Sequence, residues 1–289
     1  MNKFYCVANT DWPNRDDEIT LELIKKACIA NQIEYQLIDS KGFDFSDPPD
    51  IKPGSAMYRV ATDPASSMVF RLLVRGDIGT VYQNQIVAMS QRITSALTHQ
   101  KSGLPTIKTI FNLPTDRTLL EKYSDYLGGF PIIIKAVGGS HGIGVIRTDS
   151  FEALASLSDY LAAQKGQFIM RQYIDFKYHA RLNVLGGKVI DSVIYEKPLK
   201  DFRTNVSGIV VTPHEFSNQT QRIATKAVQA LYSDFGGVDI LIDQQNNNFL
   251  AEVNIPCFFP RTQLVTGVDT AGMLVKFLID KGQRLAAKQ

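Results

Sequence analysis

Short apolar runs alternate with a helical pattern in the first third of the chain. Three of these runs have the length and composition of strands, at 4–8, 35–39 and 56–60. A helical pattern at 17–31 separates the first two runs. Strands that alternate with helices predict a parallel sheet covered by helices, so residues 1–85 are predicted to form a small doubly wound α/β domain.

The next stretch begins with a helical pattern and continues with a strand and a second helix. The apolar face of the first helix is formed by Ile86, Met89, Ile93 and Leu97. This helix is expected to end at Gly103, because glycine is a common C-terminal cap. A strand at 106–111 follows, and then a helix that Thr115 caps and that ends at the Gly128–Gly129 pair.

Strands joined by short glycine-rich turns replace this pattern from residue 131 onward. The segment 181–191 is predicted to be a hairpin, because its Gly-Gly link supplies the positive φ angles of a primed two-residue turn. Helices near 218–232 and 270–282 complete the chain.

The composition is that of an ordinary globular protein and excludes several classes. The net charge of +2 is spread without a basic block, which argues against nucleic acid or a membrane surface as partner. No apolar run reaches the roughly 18 residues of a membrane span, and the N-terminus lacks a signal-peptide pattern. The three cysteines, Cys6, Cys28 and Cys257, lack disulfide or metal spacing and are predicted to be free thiols. We therefore expect a cytoplasmic protein.

Two acids lie within apolar runs in the segment GGVDILIDQQNNNFLAEVN, which begins at residue 236. If residues 244–247 form the loop, Asp239 pairs with Glu252 across the hairpin. Asn254 lies two positions beyond Glu252 and is expected on the same face of the strand. Facing carboxylates repel each other, so something must offset their charge.

Several arrangements remain open for these acids. An Arg or Lys from elsewhere can neutralise them, they can lie on a solvated face, or a one-residue slip of register can separate them. Leu241 and Leu250, which the same register pairs, are expected on the face of the acids, and this argues against a solvated face. A divalent cation fits better, because magnesium prefers oxygen ligands and takes one or two protein carboxylates.

A glycine-rich loop follows a lysine in the segment 132–145, IIIKAVGGSHGIGV. The backbone N–H groups of such a loop can contact a polyphosphate, and Lys135 can add positive charge. The spacing matches neither the Walker nor the Rossmann pattern, and a purely structural turn stays an alternative. Arg203 and Asn205 follow a later strand, with Lys197 upstream. Together these groups are what binding a nucleoside triphosphate with magnesium requires.

The order and spacing of these motifs resemble those of ATP-grasp proteins in the RimK-like group of carboxylate–amine ligases. The motifs are Lys135 with GGSHGIGV, FIMRQYI (168–174), ARLNVLGGKVI (180–190), DFRTN (201–205), GGVDIL with AEVN, and TGVDTAG (266–272). The resemblance runs from about residue 85 to 280. It implies an ATP-grasp fold of the α+β class. In that fold the N-terminal α/β domain precedes a central subdomain at 86–172 and a C-terminal subdomain at 173–289, which enclose ATP.

The resemblance also implies cofactors and site residues. ATP is expected with two magnesium ions, which manganese can replace. The implied metal ligands are Asp239, Glu252 and Asn254, and the implied catalytic residues are Arg181, Arg203 and Asn205. The implied ATP-binding residues are Arg92, Lys135, Gly139, Ser140, His141, Gly142, Gly144, Arg171, Gln172, Tyr173, Ile174, His179 and Lys197. Residues 172–174 are expected beside the adenine, and residues 140–144 in a flap over the phosphates.

The implied reaction converts a substrate carboxylate into an acyl phosphate, which an amine then attacks. Arg181 is expected to hold the acyl-phosphate oxygens. Arg59, at the end of a strand, is expected to bind a substrate carboxylate, with a surface charge as the alternative. Cys257, in IPCFFP (255–260), is expected beside the substrate, since this segment borders the acceptor site in relatives.

Four departures from the family pattern affect these expectations. Arg92 replaces a common lysine, Gln172 a common acid, and His179 a common ribose-binding carboxylate, which puts nucleotide affinity and base preference in question. IPCFFP replaces a common Ser-Pro-Gly and suggests a more apolar amine substrate.

Three functions are compatible with the sequence. The leading one is a ligase that joins an amino acid or peptide carboxylate to an amine. The others are a kinase that phosphorylates a hydroxyl and a nucleotide-binding protein without turnover. Small-molecule or peptide substrates are expected in each enzymatic case, and the oligomeric state is open, a homo-oligomer included.

Overall fold

A computed structural model describes residues 3–11, 15–83, 92–136, 144–164, 166–198, 201–203 and 209–288, without the side chains of residues 15 and 92–94. The strands are β1 (Lys3–Ala8), β2 (Glu34–Asp39), β3 (Ala56–Arg59), β4 (Thr109–Ile110), β5 (Ile132–Ala136), β6 (Val145–Thr148), β7 (Phe168–Gln172), β8 (Phe176–Leu185), β9 (Lys188–Tyr195), β10 (Val211–Pro213), β11 (Phe235–Asp243) and β12 (Asn248–Asn254). The helices are α1 (Arg15–Ala30), α2 (Pro64–Leu73), α3 (Arg92–Lys101), α4 (Arg117–Leu127), α5 (Phe151–Ala163), α6 (Asn218–Ala230), α7 (Pro260–Thr266) and α8 (Thr270–Ala286). Within these described ranges, no helix has both the length and the apolar character needed to cross a membrane.

The first sheet is parallel and has the strand order β2-β1-β3. This confirms the α/β pattern predicted for the N-terminal part of the chain. The hydrophobic pattern did not predict α2, which follows β3. Local chemistry explains where α2 begins, because Pro64 occupies its first position and the Asp63 side chain accepts a hydrogen bond from Ser66 N at 3.0 Å.

The second sheet has the order β4-β7-β5-β6, and α4 and α5 pack against it. α4 ends as predicted, with Gly128 in the left-handed conformation at φ 98°. Its N-cap is Asp116 rather than the expected Thr115, because the Asp116 carboxylate reaches Leu119 N at 2.7 Å. The strand expected at 106–111 is reduced to β4. Ile86 and Met89 lie outside the described residues.

The third sheet is antiparallel, with the order β10-β9-β8-β11-β12. Gly186 and Gly187 join β8 to β9 with φ angles of 58° and 79°, as predicted for this hairpin. α6 covers one face of the sheet, where Val228 packs in a core with Leu182 and Val238. Because side chains alternate along a strand, the opposite face of β8 and β11 carries the polar residues of the candidate site.

The hairpin of β11 and β12 contains an irregularity that the sequence did not predict. Near the turn Leu241 pairs with Phe249, so the expected pairing with Leu250 is wrong. A bulge then shifts the register, and Asp239 pairs with Glu252 as predicted. Leu250 lies in the core beneath α6, whereas Leu241 lies on the opposite face with the acids.

α8 packs against the first sheet, although it belongs to the predicted C-terminal subdomain. Leu274 and Leu278 share one hydrophobic core with Phe4 of β1. The backbone of α8 approaches the N-terminal domain so closely that a Cβ at Gly282 would lie 2.4 Å from the Ser55 carbonyl oxygen. The first and last parts of the chain are therefore joined by a shared core.

Candidate active site

The second and third sheets meet at β12, where two side chains connect them. Lys135 Nζ of β5 lies 2.8 Å from Glu252 Oε2 of β12. Arg171 of β7 donates from Nη2 to the Ala251 carbonyl at 3.1 Å. Burial lowers the pKa of Arg171, and the nearby Glu252 carboxylate partly offsets this effect. The candidate site therefore has cations from the second sheet facing acids of the third.

Asp239 is buried on β11, where three side chains surround its carboxylate. Arg181 Nη1 donates to Oδ2 at 2.7 Å, and Asn254 Nδ2 donates to the same oxygen at 2.9 Å. His179 Nε2 lies 3.2 Å from Oδ1. The structure thus brings Asp239, Asn254 and the facing Glu252 together, and it adds two basic side chains to them.

The charges of Asp239 and Arg181 stabilise each other. Burial acts to raise the pKa of Asp239, but Arg181 and His179 outweigh it, so the pKa lies below its ordinary value. Burial acts to lower the pKa of Arg181, yet Asp239 outweighs it and the pKa lies above its ordinary value. Removing one partner of a buried ion pair lowers the free energy of unfolding by about 3–5 kcal/mol, because the other charge is left buried and unpaired.

Strand register explains why Arg181 lies at this position. β8 pairs with β11 so that Arg181 is directly opposite Asp239. Gly237, two residues before Asp239, leaves the space that the guanidinium fills, since a Cβ there would lie 2.7 Å from Arg181 Cζ. Gly237 is a site residue that the sequence analysis missed, although the GGVD motif contains it.

The protein's own cations neutralise the two facing acids. Lys135 pairs with Glu252 and Arg181 with Asp239, which is the ion-pair alternative left open by the sequence. In the described part of the chain, no three His, Cys, Asp or Glu side chains form a metal-binding group. The oxygen donors are instead two carboxylates and Asn254 Oδ1, whose partner atom Nδ2 donates to Asp239. This set fits magnesium, which takes one or two protein carboxylates and completes its shell with water and phosphate oxygens.

The predicted phosphate flap is described only at its end. Gly144 has a φ of 78°, and its carbonyl accepts a hydrogen bond from Ala136 N at 2.9 Å. The chain therefore returns beside Lys135 after the loop. The other predicted flap residues lie outside the described residues; they are Gly139, Ser140, His141 and Gly142. Asn205 and the side chain of Arg92 also lie outside the described part of the chain.

The segment predicted to contact adenine connects β7 to β8. Gln172 N donates to the Lys108 carbonyl at 3.0 Å, and the Ile174 carbonyl accepts from Phe176 N at 3.0 Å. Two backbone groups expected to contact the base thus have partners within the protein. Tyr173 lies between them in sequence, and its role at the nucleotide stays a prediction.

Lys197 and Arg203 each pair with a nearby acid. Lys197 Nζ lies 2.9 Å from Asp175 Oδ1, and this hydrogen bond raises the pKa of Lys197. Arg203 makes a bidentate contact with Asp201, in which Nη2 lies 2.8 Å from Oδ2. Their contacts with phosphate stay predictions.

Arg59 and Cys257 are both buried. Arg59 is 5% exposed and donates to Ser67 Oγ at 2.7 Å and to the Tyr82 hydroxyl at 3.3 Å, so the alternative of a surface charge is wrong. Cys257 is 2% exposed, its Sγ donates to Asn183 Oδ1 at 3.3 Å, and burial raises its pKa to about 12. The thiol is therefore within the protein interior and close to Arg181, and its place beside a substrate stays a prediction.

The segment 255–260 is anchored to β3 of the first sheet. The Tyr58 hydroxyl accepts from Cys257 N and donates to the Cys257 carbonyl, both at 3.2 Å. Phe259 is fully buried in the core that α8 shares with β1. Because Cys257 and Phe259 face the core, they do not support the hypothesis of a more apolar amine substrate.

Tyr195 of β9 extends the polar face of the third sheet. It pairs with His179, and the two ring centroids lie 5.1 Å apart. Burial raises the pKa of Tyr195, and the positive charges of Arg181 and Arg261 partly offset the effect. The sequence analysis missed Tyr195, since only the register of β8 and β9 brings it to His179.

Comparisons with known proteins agree with the motif pattern. A model of the RimK-like ATP-grasp domain matches residues 83–278. The chain is 28% identical over 209 residues to a ribosomal protein bS6–L-glutamate ligase of Escherichia coli O7:K1, covering 70% of this chain and 68% of that protein. It is also 28% identical over 258 residues to a probable alpha-L-glutamate ligase of Klebsiella pneumoniae, and this match covers 86% of this chain and 81% of that protein.

The fold is shared with solved ATP-grasp structures. The ATP-grasp ligase PsnB, complexed with minimal precursor, Mg and ADP, aligns with a TM-score of 0.73 at 16% identity, covering 98% of this chain and 99% of that chain. An identity this low shows the fold alone. The ATP-grasp fold expected from the motifs is thereby confirmed.

Proposed function

The chain belongs to the RimK-like ATP-grasp family and is an ATP-dependent carboxylate–amine ligase, and from this premise we propose that it joins an amino acid to the carboxylate of a peptide or protein. The observation that carries the proposal is the register that sets Asp239 opposite Glu252, with Arg181 and Lys135 beside them. The names of the relatives support it, since two are glutamate ligases and PsnB was solved with a precursor.

ATP-grasp ligases use ATP and magnesium. We assign two magnesium ions to Asp239, Glu252 and Asn254 Oδ1, with manganese as a substitute. When bound, magnesium neutralises charge on the triphosphate. Lys135, which pairs with Glu252 in this structure, would supply a positive charge to a phosphate oxygen.

The reaction of the family has two steps. A carboxylate oxygen of the first substrate attacks the γ-phosphorus of ATP. The bond between the γ-phosphorus and the bridging oxygen breaks, so that ADP departs and the substrate becomes an acyl phosphate. The amine of the second substrate attacks the acyl carbon, loses a proton and displaces phosphate. Both steps depend mainly on positioning and on neutralising negative charge.

Arg181 is suited to hold the oxygens of the acyl phosphate. Its Nη1 is fixed by Asp239, and Nη2 lies 3.4 Å from the Phe258 carbonyl. Its Nε is buried and has no hydrogen-bond partner among the described residues. Arg203 and Asn205 are assigned to phosphate, as the motif implies.

The test is a reaction with ATP, magnesium, a peptide pool and single amino acids. Phosphate release that depends on the amino acid, with a product mass equal to condensation, is the expected result. ADP with a phosphorylated acceptor would indicate a kinase instead. Nucleotide that raises the melting temperature without any turnover would indicate a binding protein.

A further inference from the structure

Tyr58 of β3 carries a hydroxyl into the hydrophobic core of the first sheet. Its ring packs against Phe235 with the ring centroids 6.2 Å apart, and the residue is 1% exposed. A buried hydroxyl lowers stability unless it is hydrogen-bonded, and phenylalanine would fill nearly the same space without this cost. The hydrogen bonds of the hydroxyl therefore indicate why a tyrosine stands at this position.

Both partners of the Tyr58 hydroxyl in the described part of the chain belong to Cys257. The hydroxyl accepts a hydrogen bond from Cys257 N and donates one to the Cys257 carbonyl, each at 3.2 Å. Burial raises the pKa of Tyr58, so the hydroxyl stays protonated and can donate. A single side chain of β3 thus holds both polar backbone groups of one residue in the loop before α7.

The next residue of this loop, Phe258, contacts the candidate active site. Its carbonyl accepts a hydrogen bond from Arg181 Nη2 at 3.4 Å. On the other side, the Phe259 carbonyl accepts a hydrogen bond from Thr262 Oγ1 at 2.9 Å. The Phe258 carbonyl therefore lies between two held backbone positions, one of them fixed by Tyr58 and the other by Thr262.

The Cys257 side chain also lies close to Arg181. Its thiol donates to Asn183 Oδ1 at 3.3 Å. Burial raises the pKa of the thiol, and the nearby positive charge of Arg181 partly opposes this effect. A displacement of Cys257 would therefore disturb the surroundings of the guanidinium through both its side chain and the adjoining Phe258 carbonyl.

The other contacts of the Arg181 guanidinium do not fix its orientation. Asp239 accepts a hydrogen bond from Nη1 at 2.7 Å, and Gly237 leaves space beside Cζ. Nε has no hydrogen-bond partner among the described residues. A planar guanidinium held at one nitrogen can turn about that contact, so the Phe258 carbonyl at Nη2 is needed to set the direction of its plane.

We propose that Tyr58 is a positioning residue for Arg181, because it holds the backbone of Cys257 and thereby places the Phe258 carbonyl that orients the guanidinium. The inference rests on the proposed ligase function and adds a residue of the first sheet to that reaction. Tyr58 acts through Arg181 and not by contact with a substrate. A displacement of about 1 Å in a group at the reacting centre can lower a rate about hundredfold, so a small movement of the loop is sufficient.

Tyr58→Phe tests the proposal, because it removes the hydroxyl and keeps the ring. The first measurement needs no turnover: it is the hydrogen-exchange rate of the Arg181 Nε–H, followed by NMR of labelled arginine side chains and assigned by the loss of its signal in Arg181→Lys. We expect exchange to become at least about tenfold faster, since water reaches this buried donor only when the guanidinium moves. The matched control is Tyr35→Phe, which removes a hydroxyl beside Cys6 in the same sheet and should leave the rate within about twofold.

The second measurement is turnover. The rate of amide formation should fall about five- to thirtyfold in Tyr58→Phe, the range for one or two lost hydrogen bonds, while the KM for ATP changes less than about twofold. Adding Tyr58→Phe to Arg181→Lys should change the rate less than about twofold, because a residue that acts through Arg181 has no further effect once the guanidinium is gone. Thr262→Val releases the other side of Phe258 and should also speed the exchange of the Arg181 Nε–H.

Several results would overturn the inference. They are equal exchange rates in Tyr58→Phe and Tyr35→Phe, an equal loss of activity in these two variants, and losses of rate that add when Tyr58→Phe is combined with Arg181→Lys. If Tyr58→Phe does not fold, a native exchange rate in Thr262→Val would overturn the inference in the same way. Faster exchange in Tyr58→Phe, without amide product from the native protein in the mass assay, would instead reject the ligase proposal and keep the assignment of Tyr58 to Arg181.

Discussion

At the scale of single residues, the site is stable because each acid has its own cation. Asp239 has Arg181 and Glu252 has Lys135, so like charges on neighbouring strands do not destabilise the hairpin. The two pairs differ in burial. The Asp239 pair is almost fully buried, whereas the Lys135 and Glu252 side chains keep 20% and 28% exposure. Removing Glu252 should therefore affect function more than folding.

Glu252→Gln tests this difference. We expect product formation to fall by at least about hundredfold, because the proposed magnesium ligand loses its charge. The melting temperature should change little, since a partly exposed ion pair contributes about 1 kcal/mol or less. Glu121→Gln, on the exposed side of α4, is the control. A fully active Glu252→Gln enzyme would refute the metal assignment.

Gly237→Ala tests the space that Arg181 occupies. The added Cβ would lie 2.7 Å from Arg181 Cζ, so the guanidinium has to move away from Asp239. Loss of one hydrogen bond to a charged group, about 1.5–3 kcal/mol, corresponds to roughly a ten- to hundredfold lower rate. Gly42→Ala is the control, since a Cβ there meets no atom within 4 Å. Equal activity of the two variants would show that the position of Arg181 does not matter.

At the scale of elements, the third sheet determines which residues meet. β8 carries Arg181 and Asn183 on the same face, and the neighbouring β9 sets Asp191 opposite Asn183. Asp191 in turn accepts a hydrogen bond from Thr270 Oγ1, at the start of α8, at 2.7 Å. The polar face of the sheet therefore continues from the candidate site to α8 as a buried network.

Asp191→Asn should show a pH-dependent effect on stability. Burial raises the pKa of Asp191, while the hydrogen bond from Thr270 partly opposes this. Because the folded pKa exceeds the unfolded value of about 3.9, ionised Asp191 disfavours the folded state at neutral pH. This cost disappears as the pH falls through the folded pKa.

Urea unfolding at several pH values measures the effect. The free energy of unfolding of Asp191→Asn, relative to the native protein, should be highest near pH 7 and decrease towards pH 4. Asp280→Asn, an exposed change on α8, should show no such trend. A difference for Asp191→Asn that stays constant with pH would contradict the prediction.

At the scale of the whole molecule, α8 makes the first and last parts of the chain interdependent. Its apolar face completes the core of the β2-β1-β3 sheet. Lys281 of α8 also pairs with Asp234, just before β11, and donates to the Thr80 carbonyl at 2.7 Å. The sheet that carries the acids is thus held in place relative to the N-terminal domain.

Gly282→Ala tests this contact. A Cβ at Gly282 would lie 2.4 Å from the Ser55 carbonyl oxygen, and backbone atoms on both sides leave little room to adjust. Overpacking of this kind costs about 1–3 kcal/mol, and each kcal/mol lowers the melting temperature by roughly 2–4 °C in a chain of this size. Lys276→Ala, an exposed change on the same helix, is the control. A melting temperature equal to that of the control would show that α8 can move away.

Much of the fold and part of the site followed from local patterns in the sequence. The Gly186–Gly187 hairpin and the end of α4 at Gly128 were predicted correctly, because each depends on residues close together in the chain. The parallel N-terminal sheet was also predicted correctly, because its local alternation of strands and helices is typical of parallel sheets. The facing of Asp239 and Glu252 was also predicted correctly, although it depends on a bulge that the prediction did not include, since the bulge restores the expected register at this pair. The expected pairing of Leu241 with Leu250 was wrong, because the register next to the turn differs by one residue from the expected one, and the sequence gives no signal for this difference.

Only the tertiary structure determined which cations neutralise the acids. Lys135 and Glu252 are separated by 117 positions, and Arg181 and Asp239 by 58, so no local pattern connects them. Strand order and sheet packing decide such contacts, and the same holds for Tyr58 beside Cys257. The sequence by itself determined the elements and the motif order, which depend on near neighbours. Which charges pair depends on how close the strands lie to one another in space. Strands that are far apart in the chain come close only in the folded protein.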